Sequence, residues 1–340
     1  MRRNHLSRLT SHENMEAAEL RYVLGIDIGG TNIVIGAVTE DGGTVRGLRS
    51  EPTGVPDGSD AVIDRILRMA AGVIATVRAE DPTAELRGVG IGAPGPLNRE
   101  KGLVIFTPNL RWTNMPLRDR IGNALGLPAS LDNDANCAML GEHWVGAARG
   151  VRNAVCFTIG TGIGGGIVVD GKLVHGASDV AGEIGHITID VNGRRCGCGN
   201  DGCLEAYASG PAIARRACEA IEAGAVSAIG VRGGDPAAIT AQTVFECAAA
   251  GDALADELVR DTARYLGVGI ANMLNVMNPE VVVICGGVTQ AGDHLFVPLR
   301  REVIRRAFKP AVEACRIVPG KLPGTAGVVG AARAWIDQHA

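Results

Sequence analysis

The chain is poor in aromatic residues: Phe, Trp and Tyr make up 3% of its 340 positions, against 48 glycines. With so few bulky anchors, tight turns and backbone held close to ligands must shape its sites. No run of about 18 uninterrupted apolar residues occurs, which argues against a transmembrane helix. Nor is there an excess of positive charge. The formal net charge is -4, so no global basic field draws nucleic acid. The opening stretch MRRNHLSRLTSHENMEAAEL, residues 1–20, has basic residues but no apolar h-region. It reads as a flexible arm rather than a signal peptide. A cytoplasmic protein with no membrane and no nucleic-acid partner is expected. The nine cysteines are an odd number and cannot all pair within one chain. Most stand singly in apolar surroundings, as Cys156, Cys218 and Cys285 do. That is the pattern of buried thiols in a reducing compartment.

Also missing is any low-complexity linker, so the parts of the chain are expected to pack closely. The length suits two domains of ordinary size or one large one. YVLGIDIGGTNIVIGAVTEDGGTVRG has two apolar runs around Gly-Gly-Thr-Asn and then a Gly-rich turn, which predicts a β-hairpin feeding a third strand. Residues 60–80 have the apolar spacing of a helix. LRGVGIGAPGPL predicts a short buried strand and PLRDRIGNALG a helix. PASLDNDAN predicts a strand running into a loop. NAVCFTIGTGIGGGIVVDGKLV then repeats the opening order of strand, glycine turn, strand and Asp-Gly turn. Two such copies point to two related domains facing each other. A helix-rich stretch over about 210–275, the buried strand EVVVICGG and a last helix AGVVGAARAWIDQ complete an α/β pattern.

Three glycine-rich turns carry the chemistry. In DIGGTN, residues 27–32, Gly29 and Gly30 let backbone N–H groups approach a phosphate, and Thr31 and Asn32 add polar side chains. Asp27 before them offers a carboxylate for Mg²⁺, directly or through water. A plain hairpin turn would look the same. TIGTGIGGG, residues 158–166, offers a second cradle at Thr161 and Gly162. It precedes a strand, not the helix that a dinucleotide fingerprint requires. No G-x-x-x-x-G-K-[ST] loop occurs. CGGV ends a buried strand with Gly286 and Gly287, where a flat base or ribose can pass over the backbone. RRCGCGNDGCLEAY places three cysteines within eight positions. Its spacing alone leaves a disulfide knot, a metal site and a redox site open.

These motifs, with N-D-A-N and G-E-I-G-H between them, stand in the order D-I-G-G-T-N, N-D-A-N, T-I-G-T-G-I-G-G-G, G-E-I-G-H, C-G-C-G-x-x-G-C-L-E. The chain thereby resembles the ROK family of bacterial sugar kinases and related repressors, from about Tyr22 to the C-terminal helix. The resemblance implies two actin-like ATPase (ribonuclease H-like) α/β domains with ATP and sugar in the cleft between them. Residues 21–131 plus 324–340 would form the small domain, and 132–323 the large domain with its zinc-binding loop. It implies structural Zn²⁺ on His186, Cys196, Cys198 and Cys203, a Cys₃His set suited to a closed tetrahedral site. It implies that Asp134 is the catalytic base, since phosphoryl transfer to an alcohol needs a carboxylate to accept the hydroxyl proton. From its residue type alone Asp134 also suits a helix N-cap. Asp132 does not fall on the catalytic position. Asn133, Glu183, His186 and Glu205 match the family's sugar contacts, and Gly95 and Asn109 stand where turn residues would line the pocket. His186 would give one ring nitrogen to zinc and the other to a sugar hydroxyl.

The expectation is ATP-dependent phosphorylation of glucose to glucose 6-phosphate, with Mg²⁺, by a homodimer or homotetramer. An N-acylhexosamine kinase acting on N-acetylglucosamine or N-acetylmannosamine is the alternative, because the shared motifs contact hydroxyls common to these sugars. A sugar-responsive repressor is a third reading. Only about 20 residues precede the first glycine turn, short for a helix-turn-helix module. Intact Asp27 and Asp134 also favour catalysis.

Overall fold

The computed structural model describes residues 20–340. The expected N-terminal arm, apart from Leu20, lies outside the described residues. The first half contributes β1 (Arg21–Ile28), β2 (Asn32–Thr39), β3 (Val45–Pro52), β4 (Glu85–Ala93), β5 (Leu97–Asn98), β6 (Leu103–Thr107), β7 (Trp112–Met115) and β8 (Ala129–Asn133). Its helices are α1 (Ser59–Glu80), α2 (Leu117–Leu125) and α3 (Asp134–Trp144). The second half continues with β9 (Ala154–Ile159), β10 (Ile163–Val169), β11 (Lys172–Leu173), β12 (Val281–Cys285) and β13 (Arg316–Pro319). Between β11 and β12 lie α4 (Glu205–Ala208), α5 (Gly210–Glu222), α6 (Ala228–Gly233), α7 (Ala241–Ala249) and α8 (Ala253–Met277). After β12 come α9 (Asp293–Arg306), α10 (Lys309–Ala314) and α11 (Ala326–His339).

The internal repeat anticipated from the sequence is visible in the sheets. One runs β3-β2-β1-β4-β8 and the other β11-β10-β9-β12-β13. In both, the first two strands form an antiparallel hairpin and the fourth lies parallel to the first. A strand flanked on both sides and covered on both faces reads as a nearly continuous apolar run. β1 fits this, with Val23, Leu24, Ile26 and Ile28 fully buried. One face of its sheet is covered by α1 through Val62, Ile66, Met69 and Val73, spaced three and four apart. A separate core fills the second half, where Phe157 and Ile284 pack with Leu266 and Ile270 of α8.

The strand over Ala129–Asn133 does not run into a loop as expected from PASLDNDAN. It passes directly into α3 at Asp134. The physical reason is the cap: Asn133 Oδ1 accepts from the backbone N–H of Ala135 (2.9 Å) and Asn136 (3.2 Å). The cap is therefore Asn133, and Asp134 takes the first helical position. At the far end of α3, buried Glu142 holds the chain that returns from β13 to α11. Its carboxylate accepts from the N–H groups of Ala147 (2.7 Å), Lys321 (3.0 Å) and Leu322 (2.9 Å).

Helix α11 covers the other face of the first sheet through Val328, Val329, Ala332 and Trp335, and it packs against α3 with almost no space between the backbones. A Cβ on Gly330 would lie 1.5 Å from the Cys137 carbonyl oxygen, and one on Gly90 would lie 1.8 Å from that of Ala331. On an exposed helix, Gly→Ala gains up to about 1 kcal/mol of propensity. At position 330 the sign should reverse, because overpacking typically costs about 1–3 kcal/mol. Gly330→Ala is expected to lower the unfolding temperature. An unchanged or raised midpoint in a thermal melt would show that the two helices can part without penalty.

Candidate active site

The two hairpin turns meet where the two sheets face each other. The first turn is closed by Gly29 N–H donating to Asn32 O at 2.8 Å. It is braced from behind by buried Thr53, whose hydroxyl donates to Gly29 O (2.7 Å) and whose N–H donates to Thr31 O (2.8 Å). The second turn is closed by Gly160 N–H to Gly162 O at 2.9 Å. Across the gap, Thr31 Oγ1 and Thr161 Oγ1 are 3.3 Å apart. Gly286 follows β12 with φ of +102°, and a Cβ there would lie 2.0 Å from Ile159 O. Only glycine permits that approach. Gly287 beside it faces open space. The three glycine turns singled out in the sequence thus gather at one place.

The acids gather there too. Asp27, at the end of β1, is pushed up to about 7, first by burial and then by the charge of Asp134. Asp134 is pushed up to about 6, mainly by burial, with Glu183 adding to the rise and the Ala135 N–H opposing it. Asp134 Oδ1 accepts that N–H at 2.8 Å. The Glu183 carboxyl is also raised by burial and by Glu205, against the pull of His186. Glu205 Oε2 accepts from Ile163 N–H at 2.8 Å, which ties it to the second turn. Asn109 lies against the first turn, its Cβ 3.5 Å from where a Cβ on Gly30 would stand. Gly95 has φ of +95° and no room for a Cβ, which would fall 2.4 Å from Phe106 O. Asn133 has committed its side-chain oxygen to the helix cap, leaving its amide NH₂ as the free donor.

The cysteine question resolves into a cluster. His186, Cys196, Cys198 and Cys203 present ligand atoms all within 4.8 Å of one another, and all three thiols are free. Cys196 Sγ lies 3.7 Å from His186 Nδ1, and Cys198 Sγ lies 3.6 Å from Cys203 Sγ. Gly202 lets the loop close, since its φ is +73° and a Cβ would lie 1.6 Å from Asp190 O. The cluster abuts the acids: Glu205 Oε1 is 3.7 Å from Cys196 Sγ.

Sequence reasoning missed one part of the site. A largely apolar cavity of about 460 Å³ opens beside the third turn, lined by Ile159, Gly160, Gly287 and Val288 on one side and by Ala241 and Phe245 of α7 on the other. A mainly apolar cavity of this size next to glycine turns has room for a nucleotide base. Nothing local in AQTVFECAA marks it, because only the fold brings α7 to the turn that follows β12.

A sequence model described as the ROK family matches residues 23–338. The glucokinase of Halalkalibacterium halodurans is 38% identical over 91% of this chain and 93% of its own length. The putative xylose repressor of a Caldicellulosiruptor species is 33% identical over 91% of this chain and 76% of its own. Among solved structures, a ROK family glucokinase from Streptomyces griseus, in complex with glucose and AMPPNP, superposes with a TM-score of 0.81. It is 35% identical and covers 92% of this chain and 98% of its own. Among the described residues, no helix is long and apolar enough to cross a membrane.

Proposed function

The chain belongs to the ROK family, and on that premise we propose that it is an ATP-dependent hexose kinase converting glucose to glucose 6-phosphate. One observation carries the reading: two half-buried acids, Asp27 and Asp134, stand where two glycine turns meet, with a third acid, Glu183, within electrostatic reach. The glucose and AMPPNP held by the Streptomyces griseus relative support both substrates. Asp134 accepts the proton of the sugar hydroxyl as its oxygen attacks the γ-phosphorus, and ADP leaves. Asn133 donates from its amide. Glu183, His186 and Glu205 orient vicinal hydroxyls by charge-assisted bonds, and Gly95 and Asn109 line the sugar side. Gly30, Thr31, Asn32, Thr161 and Gly162 offer donors to the phosphates, Gly29 closes the turn that presents them, and Gly286 and Gly287 bound the base slot.

A half-buried carboxylate raised to about 7 lacks a counter-charge, and its hard oxygens suit Mg²⁺. Asp27 would hold the ion, which neutralises phosphate charge when bound. The cysteine cluster suits zinc. Zinc bonds of about 2.3 Å to sulfur and about 2.0 Å to nitrogen would set tetrahedral edges of about 3.8 and about 3.5 Å. The observed separations are 3.6 Å between sulfurs and 3.7 Å from sulfur to nitrogen. With His186 Nδ1 directed at the metal, Nε2 is left for the sugar. A reducing compartment, the cytoplasm, suits thiolate ligands. We place the domain break at 21–131 plus 324–340 against 132–323, on the duplicated sheet order, and a homodimer or homotetramer as the assembly.

ADP release from Mg-ATP across glucose, N-acetylglucosamine, N-acetylmannosamine, mannose and fructose tests this reading. The highest kcat/KM is expected for glucose. Preference for an N-acetyl sugar would keep the mechanism and replace the substrate. No turnover on any sugar, by zinc-loaded protein, would overturn the kinase assignment.

A further inference from the structure

In the sequence Asp132 does not fall on the catalytic position. It is nonetheless 1% exposed and stands next to Asn133 and Asp134. Both of its oxygens are in use. Oδ1 accepts from Asn133 N–H (2.8 Å) and from the side-chain NH₂ of Asn136 (3.1 Å). These two donors belong to the turn that carries Asp134 into α3. Oδ2 faces the other half of the molecule, where His175 Nε2 is 2.9 Å away. Arg99 Nε forms an ion pair with the same oxygen at 3.0 Å.

His175 follows β11 and opens the loop that leads to Glu183 and His186. The same loop is held a second time: Arg99 N–H donates to Asp179 Oδ2 at 3.1 Å, and its guanidinium is 3.9 Å from Oδ1. Asp179 has φ of +59°, a conformation uncommon for a non-glycine residue and held here by those contacts.

We propose that Asp132 is a positioning residue that couples the loop bearing the sugar contacts to the turn bearing the base, through His175 on one oxygen and Asn133 and Asn136 on the other. It touches no substrate. It fixes the distance between Glu183 and His186 on one side and Asp134 on the other, so the reacting hydroxyl meets the base only when the two halves are joined here. This rests on the kinase reading above. A misplacement of about 1 Å at a reacting centre can lower a rate about 100-fold.

Asp132→Asn keeps one oxygen for the two N–H donors and presents an amide to Arg99 and His175. It is expected to lower kcat about 10- to 100-fold and raise KM for the sugar, with KM for Mg-ATP changed less than about twofold. His175→Gln, which still donates, is expected to retain more activity than His175→Ala. Hydrogen exchange read on the same variant should be faster in residues 174–186 and unchanged over 241–249 at the base slot. Wild-type kcat and sugar KM in folded Asp132→Asn would overturn the proposal. So would a parallel rise of both KM values with a lower melting temperature, which marks general loosening. If the wild-type protein turns over no sugar, the kinase reading fails separately. The exchange measurement then decides: faster exchange confined to 174–186 supports the anchor, and unchanged exchange overturns it.

Discussion

Asp134→Asn is expected to fold, bind sugar and retain its metal cluster, yet turn over about 10²- to 10⁴-fold more slowly, the range for loss of a positioned general base. The substitution is clean because Asn133, not Asp134, caps α3. The strand-to-helix turn should survive, and the loss should fall on kcat. The pKa of Asp134 sharpens the test. Burial raises it to about 6 in the folded chain, from an ordinary 3.8. The ionised form is the active one, so kcat/KM should fall at least about tenfold per pH unit below about pH 6. The linkage to stability runs the other way. A carboxyl whose folded pKa exceeds its unfolded one holds its proton more tightly in the fold, and that contribution is lost as pH rises through about 6. At neutral pH the charged Asp134 therefore burdens the fold, and Asn should be at least as stable. Near-wild-type turnover in the variant would remove Asp134 from the role. A flat profile from pH 5 to 8 would also contradict it.

What was legible in the sequence was what local chemistry dictates. The hairpins β1–β2 and β9–β10 show as apolar runs interrupted by Gly-rich turns, since strand period and turn conformation are local requirements. The cysteine spacing showed that something is clustered, and the order of motifs identified the family. Other features depend on contacts far apart in the chain. Asn-Asp-Ala-Asn offers three residues able to cap a helix, and spacing alone could not rank Asn133 above Asp134 or Asn136. The link from Asp132 to His175 spans 43 positions, and α7 meets the turn after β12 only through the folded second half. The tight seat of α11 against α3 is likewise a matter of packed backbones, visible in the sequence only as scattered glycines.

The second large effect is expected at Cys198. Replacing it by Ser leaves three of four ligands and puts a hydroxyl in place of a soft thiolate, a poor partner for zinc. The variant is expected to lose most of its bound zinc by elemental analysis. Sugar affinity should fall with it, about 10- to 100-fold, as is typical when the shell around a metal is broken. The coupling follows from shared residues. His186 puts Nδ1 3.7 Å from Cys196 Sγ, so losing a metal held there would free the ring proposed to contact the sugar. Glu205, two residues beyond Cys203, lies 3.7 Å from Cys196 Sγ through one oxygen and accepts Ile163 N–H at 2.8 Å through the other. Its drift would loosen the second glycine turn as well, so a smaller rise in KM for Mg-ATP should accompany the loss of sugar binding. Wild-type protein stripped by a chelator should behave the same way and recover on adding zinc, whereas Cys198→Ser should not. Zinc retained in full by the variant would refute the ligand set. Zinc lost with the sugar KM unchanged would keep the cluster but separate it from the sugar site, leaving His186 and Glu205 to be held by the protein alone.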